Sequence, residues 1–305
     1  MRVEKFFTLN RTLRSFYSWV ELFTWIFKEK RQKSLGTHEI KRSLDLYIHL
    51  IKPDKRSLDA SEKNVKLLLK RLQPRESPIK IVRIGKNTDS GYCVAKLKKV
   101  DMVVSGGAGK NIDFEVWFAD RNAIVHICDP SVNRLPKNHI NISHHKFYLG
   151  NSNNSNNCIN LKDFENKIKF EKSNTNLLKL DIEGSELELL GEEDINLRFY
   201  DQIVIEIHNL FKITSNNYQK KFLKLVDNLL RYHHVIVFNP NNNGLILNYG
   251  QFFIPEVFEL TLLNKKFFPI KAPPMAKFST FVPKYNNNPN RLKVPNIYSI
   301  LTKSS

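Results

Sequence analysis

The string with the most chemistry in this chain is Lys179-Leu-Asp-Ile-Glu-Gly-Ser-Glu186, in which three acids follow a buried apolar run and Gly184 permits a sharp turn. If the strand continues that far, its period of two brings Asp181 and Glu183 onto one face. Like charges buried side by side need a cation, a shared proton or hydrogen-bond donors. The plainer reading has Glu183 and Glu186 biasing the start of a helix, where unpaired N–H groups favour carboxylates. Further on, Glu206 and His208 stand two positions apart at the end of Ile203-Val-Ile-Glu-Ile207. A histidine at a strand end is often structural, but beside acids it is a candidate general base or metal ligand.

A second constellation precedes this one. Val103-Val-Ser-Gly-Gly-Ala-Gly109 sets Gly106, Gly107 and Gly109 directly after an apolar run, and Asp129 closes the next such run. Glycines there let the backbone approach a ligand, and an acid about 20 residues later can accept ribose hydroxyls. The spacing departs from the Gly-x-Gly-x-x-Gly of a nicotinamide dinucleotide site, because Ile112 stands where the third glycine belongs. An oxidoreductase is therefore disfavoured. Taken alone, the glycines are also compatible with a tight turn, and Asp129-Pro130 with a turn start.

A parallel sheet would bring these residues together. Short apolar runs at 102–105, 123–128, 177–180 and 203–207 alternate with helical patterns at 112–120, 161–170, 186–190 and 217–232, the signature of strands joined by crossover helices. Further strands are expected at 79–84, around Tyr92, Val94 and Ala95, at 235–238 and at 258–263. A helix is expected at 57–72, before Pro74 and Pro78. The Asn-rich segments 151–157 and 239–244 read as a loop and a turn. In this α/β arrangement Ser105 to Gly109, Asp129, Asp181 with Glu183, and Glu206 with His208 all fall at the carboxyl ends of strands, where ligands bind in such sheets.

The length of 305 residues suits one such domain with an N-terminal helical extension. The expected division is an extension over 1–78, the sheet domain over 79–283 and a weakly structured tail over 284–305. Forty-eight Lys and Arg against 30 Asp and Glu give a net charge of +18, which suits a nucleic acid, an anionic membrane surface or an acidic substrate. The basic residues are dispersed, so a genome-wide bias toward Lys explains them equally well. Cys93, Cys128 and Cys158 show no paired metal-site spacing, and no metal ligand set is assigned; a reducing compartment is expected. Leu13, Phe16, Val20, Phe23 and Phe27 form a helical stripe between basic flanks within residues 11–31. The stripe is interrupted by Glu21 and too short to span a bilayer, so neither a signal peptide nor a membrane span is expected. It would either pack on protein or lie peripherally on a membrane.

Several strings occur together in an order that resembles the FkbM-type methyltransferases. They are Val82-Arg-Ile-Gly85 with Asp89-Ser-Gly-Tyr92, Ser105-Gly-Gly-Ala-Gly109 with Asp113-Phe-Glu115, Asp129-Pro-Ser131, Lys179-Leu-Asp-Ile-Glu-Gly184 and Glu206-Ile-His208. The resemblance runs from about residue 83 to 265, and Pro255-Glu-Val-Phe-Glu-Leu-Thr261 resembles the family's closing segment. It implies a Rossmann-like class I methyltransferase sheet, mostly parallel with helices on both faces, that binds S-adenosylmethionine and methylates a hydroxyl. By the same resemblance, Ser105, Gly106, Gly107, Gly109, Asp113, Glu115, Asp129 and Asp181 form the cofactor site. Gly107 and Gly109 lie against the methionine part and Asp129 on the ribose. Asp181 is then the first candidate to position or deprotonate the acceptor, with Glu183 and His208 next. Ser90 stands where the family has a glycine, and Lys110 follows the glycine loop.

A divalent metal is compatible with this reading but is not expected; metal-independent general base catalysis is. The acceptor is expected to be a small molecule, glycan or lipid-linked sugar, with anionic acceptors suiting the charge, and the enzyme cytoplasmic, with a peripheral place at the inner membrane face open to it. A nucleic-acid methyltransferase and a non-catalytic scaffold are the alternatives. The first is disfavoured because the Asn-Pro-Pro-Tyr type of motif is absent, Asn239-Pro-Asn-Asn242 being only a faint echo; the second because glycine loop, Asp129 and Asp181 are all present.

Overall fold

The structure is a computed structural model that describes residues 55–86, 90–151, 157–193, 195–249, 252–269 and 273–274. The apolar stripe within 11–31 and the tail from 284 lie outside these. After helix α1 (Lys55–Arg71) comes an antiparallel hairpin, β1 (Ile81–Ile84) and β2 (Tyr92–Ala95). The main sheet is built from β3 (Met102–Gly106), β4 (Ile124–Cys128), β5 (Ile142–His145), β8 (Asn176–Leu180), β9 (Gln202–Ile207), β10 (His233–Tyr249) and β11 (Phe252–Asn264). A small parallel pair, β6 (Tyr148–Leu149) and β7 (Cys158–Ile159), stands beside it. Helices α2 (Asp113–Ala119), α3 (Leu161–Lys167), α4 (Glu186–Leu190) and α5 (Asn216–Tyr232) connect the strands.

The seven-stranded sheet has the order β10-β11-β9-β8-β3-β4-β5. Strands β5, β4, β3, β8 and β9 are mutually parallel, and β11 runs against β9 and β10. The chain lays strands outward from β3 through β4 to β5, then returns to lay β8 and β9 on the other side. That reversal is the topological switch point of a doubly wound sheet, and its crevice opens beyond the carboxyl ends of β3 and β8.

The apolar runs are continuous because both faces of the sheet are covered. Val103, Val125, Ile127, Leu177 and Val204 pack against Phe114 and Phe118 of α2 and against Ile84, Tyr92 and Val94 of the hairpin. Alternate residues, among them Val104, Leu178, Leu180, Ile203 and Ile205, face α1, α3, α4 and α5. In α5 the buried stripe Phe222, Leu225, Val226 and Leu229 follows the helical period. Each such side chain contributes roughly 1.5–3 kcal/mol by leaving water. This is the expected α/β architecture with helices on both faces.

Two local expectations are corrected. Residues 239–244 form no turn: β10 runs through them, with a break in register between Asn241 and Ile246. The side chains of Asn239 and Asn241 find partners across the sheet, Asn239 donating to Glu259 at 2.7 Å and Asn241 to Glu206 at 3.2 Å. The second concerns β8, which ends at Leu180, so strand alternation does not align Asp181 with Glu183. A turn does so instead, with Glu183 at φ 55° and Gly184 at φ 105°. Among the described residues no helix is long and apolar enough to cross a membrane.

Candidate active site

The glycine loop leaves β3 at the switch point. Gly107 has φ 73°, and a Cβ there would be driven into the carbonyl of Asp181 on the neighbouring strand. The close passage of β3 past β8 therefore requires glycine. Gly107 N–H donates to Cys128 O at 3.0 Å, and Asp181 N–H donates to Gly106 O at 3.0 Å. Gly109, at φ 57°, is different: nothing lies within 4 Å of the position a Cβ would take. Its backbone faces open space, which is the shape a ligand approaching the main chain needs.

Asp129, one residue past β4, holds this loop. Its Oδ2 accepts the N–H groups of Ala108 at 2.9 Å and Gly109 at 2.8 Å. Its Oδ1 accepts the N–H of Ser131 at 2.8 Å and the Ser131 hydroxyl at 2.6 Å. Burial works to raise the carboxyl pKa, but the donors of Ser131, Gly109 and Ala108 outweigh it and hold the group below its ordinary range. Four donors fill the four lone-pair positions of a carboxylate. In this arrangement Asp129 is a loop clamp, and ribose hydroxyls would reach it only by exchange with the loop amides.

Lys179 reinforces the same loop from β8. It is 3% exposed, and its ammonium donates to the carbonyl of Gly107. It stands 3.9 Å from Glu115 and 3.8 Å from Asp181, and 5.3 Å over the ring of Tyr92. Ser105 and Glu115 are buried against each other, the hydroxyl donating to the carboxylate at 2.6 Å. Burial raises the Glu115 pKa, with Lys179 and Ser105 opposing it. Both residues brace the base of the loop. Asp113 begins α2 and is paired with Lys137 at 2.7 Å on the surface.

The acids and the histidine meet on the far side of Gly107. Leu180 is paired with Ile205 on the adjacent parallel strand, so Asp181, Glu206 and His208 come to one strand-end edge. His208 Nδ1 donates to Glu186 Oε1 at 3.0 Å. Its Nε2 lies 3.4 Å from Glu206, 3.6 Å from Glu183 and 3.9 Å from Asp181. Asp181 accepts the Tyr92 hydroxyl at 2.7 Å through its other oxygen. Burial opposes charge on His208, but Glu186 and Glu206 overcome it and hold its pKa well above the ordinary value. Burial, followed by repulsion from Asp181, pushes Glu206 up to about 8 despite His208. Burial and the same acids raise the Tyr92 phenol, which stays protonated as a donor.

The sequence-derived residues thus separate into two groups. Gly107, Gly109 and Asp129 form the loop side of the crevice, and Asp181, Glu183 and His208 the acidic side. Ser105, Glu115 and Lys179 lie beneath. Three members had been given no catalytic or cofactor role from the sequence: Tyr92, Glu186 and Glu206. Glu206 carried a signal, two residues before His208 at a strand end; the phenol of Tyr92 and the imidazole contact of Glu186 carried none.

A doubly wound sheet in this strand order, with a glycine loop at its switch point and acids on the next strand end, defines a Rossmann-like class I methyltransferase fold. Within that class, residues 141–235 match the family described as the methyltransferase FkbM domain, so the resemblance carried by the motifs holds over this segment. The segment runs from the start of β5 into β10 and includes Asp181, Glu183, Glu186, Glu206 and His208; the glycine loop and Asp129 precede it. That match spans 95 of the 305 residues. Among solved structures, the fibrillarin/Nop5p complex is 10% identical over 54% of this chain and 72% of that one, with a TM-score of 0.34. A putative hemolysin from Streptococcus thermophilus is 14% identical over 54% of this chain and 60% of that one, with a TM-score of 0.32. At those scores neither likeness bears on function. No curated protein matches the chain in sequence.

Proposed function

We propose that this chain transfers a methyl group from S-adenosylmethionine to a hydroxyl oxygen of a small molecule, glycan or lipid-linked sugar. One observation carries the reading: the open backbone of Gly109 and the Asp181–Glu206–His208 cluster belong to the ends of neighbouring strands at a single switch point. S-adenosylmethionine supplies a methyl carbon on a sulfonium, so that the carbon–oxygen bond forms as the carbon–sulfur bond breaks and the sulfur keeps the electron pair. The acceptor hydroxyl loses its proton in the process.

The protein's share is alignment, exclusion of water and removal of that proton. Asp129 and Lys179 fix the loop against which the donor lies. Asp181, with a side chain 26% exposed and one oxygen held by Tyr92, is the acid best able to meet the acceptor. Glu206, pushed up to about 8, is mostly protonated at neutral pH and becomes able to take the proton onward as pH rises toward that value. His208 is held charged by its acids, and serves to keep Asp181 and Glu206 in place rather than as the base.

The net charge of +18 supports an anionic acceptor. With the stripe within residues 11–31, it also supports peripheral contact at the inner face of a membrane, where lipid-linked sugars are assembled, and thus a cytoplasmic enzyme. The test is calorimetric titration of the purified protein with S-adenosylmethionine, with NAD as the control. Saturable binding of the first alone is expected. A folded protein that binds neither would overturn the reading.

A further inference from the structure

We propose that Asp181, Glu206 and His208 form a binding site for one divalent metal cation of the Mn2+ type. One donor atom from each residue lies within 4.8 Å of the others, and His208 Nε2 is 3.4 Å from Glu206 Oε1 and 3.9 Å from Asp181 Oδ1. Ligands about 2.0–2.2 Å from a common metal stand roughly 3.0–3.6 Å apart. Donor atoms up to 4.8 Å apart therefore need to close by about 1–2 Å to share an ion.

The orientation of His208 is an independent pointer. The residue is 5% exposed, and its Nδ1 is committed to Glu186 Oε1, which also accepts the N–H groups of Ile182 and Gly184 at 3.1 and 3.2 Å. That anchorage turns Nε2 into the acidic cluster, where its nearest oxygen stands 3.4 Å away. A carboxylate fixing the far nitrogen of a histidine is the usual support of a metal-binding imidazole. Asp181 is steadied through its other oxygen by the Tyr92 hydroxyl at 2.7 Å, and Glu206 by the Asn241 amide, which donates at 3.2 Å to the oxygen that faces the imidazole.

The oxygen donors crowd the same place: Asp181, Glu183, Glu186 and Glu206 each bring a carboxyl oxygen within 3.9 Å of this one imidazole. A set of two carboxylates and one imidazole suits cations between the hard and borderline classes, for which Mn2+ is a direct probe. Asp181 and Glu183 have side chains 26% and 72% exposed. The position is therefore closed on the His208 side and open toward the crevice, as in metal sites that keep a place for substrate. There the ion would hold the acceptor hydroxyl and make its proton easier to remove. That use rests on the proposed methyl transfer; the binding does not.

The test uses the full chain, freed of metal by chelation and dialysis, and titrated with MnCl2 by calorimetry and by electron paramagnetic resonance of the free ion. One saturable site is expected, weakened at least tenfold in Asp181→Asn and, through loss of the anchored imidazole, 10–100-fold in Glu186→Gln. Asp181→Asn keeps its shape in a partly exposed position, and near-UV circular dichroism checks the fold of both variants. No saturable binding by the folded wild type, or equal affinity in folded Asp181→Asn, would overturn the site. The same samples are titrated with S-adenosylmethionine: loss of Mn2+ binding alone strikes the cation site, whereas Mn2+ binding without S-adenosylmethionine binding supports it and strikes the methyl-transfer reading instead.

Discussion

The carboxylate of Asp129 grips the backbone of Gly109 at 2.8 Å, and with Ala108 and Ser131 it has all its acceptor positions filled. The acid that a sequence reader assigns to a ribose is thus first the clamp of the glycine loop. Asp129→Asn replaces one oxygen by an amide that would face donors already present. With hydrogen bonds to a charged acceptor contributing about 1.5–3 kcal/mol each, the variant should lose roughly 2–4 kcal/mol of stability in urea unfolding and bind S-adenosylmethionine at least tenfold more weakly. A variant that unfolds like the wild type would show that the carboxylate does not hold the loop.

Gly107 and Gly109 differ in what surrounds them, and their alanine variants should differ accordingly. At Gly107 an added methyl meets the Asp181 carbonyl, so β3 and β8 must part; a loss of about 3 kcal/mol or more, or failure to fold, is expected. At Gly109 the methyl meets open space, leaving only the left-handed backbone to cost about 1 kcal/mol. Gly109→Ala should therefore fold but bind S-adenosylmethionine more weakly. Thermal melts with calorimetry compare the two, and equal stabilities would contradict the close passage at Gly107.

The central strands were legible because a parallel strand covered on both faces reads as an unbroken apolar run. Strand β5 was not: Ile142-Ser-His-His145 lies at the sheet edge, only partly buried, and its composition carries no such signal. Residues 239–244 misled for the opposite reason. Their Asn and Pro content speaks for a turn, but the amides of Asn239 and Asn241 donate to Glu259 and Glu206 across the sheet, a tertiary choice invisible to local pattern. At the site, the convergence of Gly109, Asp129, Asp181 and His208 on strand ends could be inferred from their places after apolar runs. The hydroxyl of Tyr92 on Asp181 joins residues 89 positions apart, and no spacing announces it.

His233 should make stability fall in mild acid. It is fully buried, its Nε2–H donates to the Tyr200 carbonyl at 2.8 Å, and its Nδ1 has no partner among the described residues. Burial pushes its pKa down from 6.5 to about 4. Because the folded value lies below the unfolded one, its contribution is fully present above about pH 6.5 and is lost as pH falls toward 4, by roughly 2–4 kcal/mol. His126, also lowered to about 4, and His145 act in the same direction. Urea unfolding between pH 7 and pH 4 should show a shallower loss in His233→Gln than in the wild type. Identical slopes would mean that His233 is not neutral in the folded protein.

Ser90 occupies a position whose backbone asks for glycine. Its φ is 71°, a region where a side chain costs about 1–2 kcal/mol. It sits in the connection of the hairpin whose second strand begins with Tyr92, the donor to Asp181. Ser90→Gly relieves that strain but gives the unfolded chain more freedom, which returns about 0.4–1 kcal/mol. The expected net effect is a gain of roughly 0.5–1 kcal/mol in urea unfolding, with the Tyr92 contact unchanged because strand β2 keeps its register. A loss of stability instead would mean that the serine side chain makes a contact outweighing the strain of its backbone, and the departure from glycine would then be a feature of this hairpin rather than a cost to it.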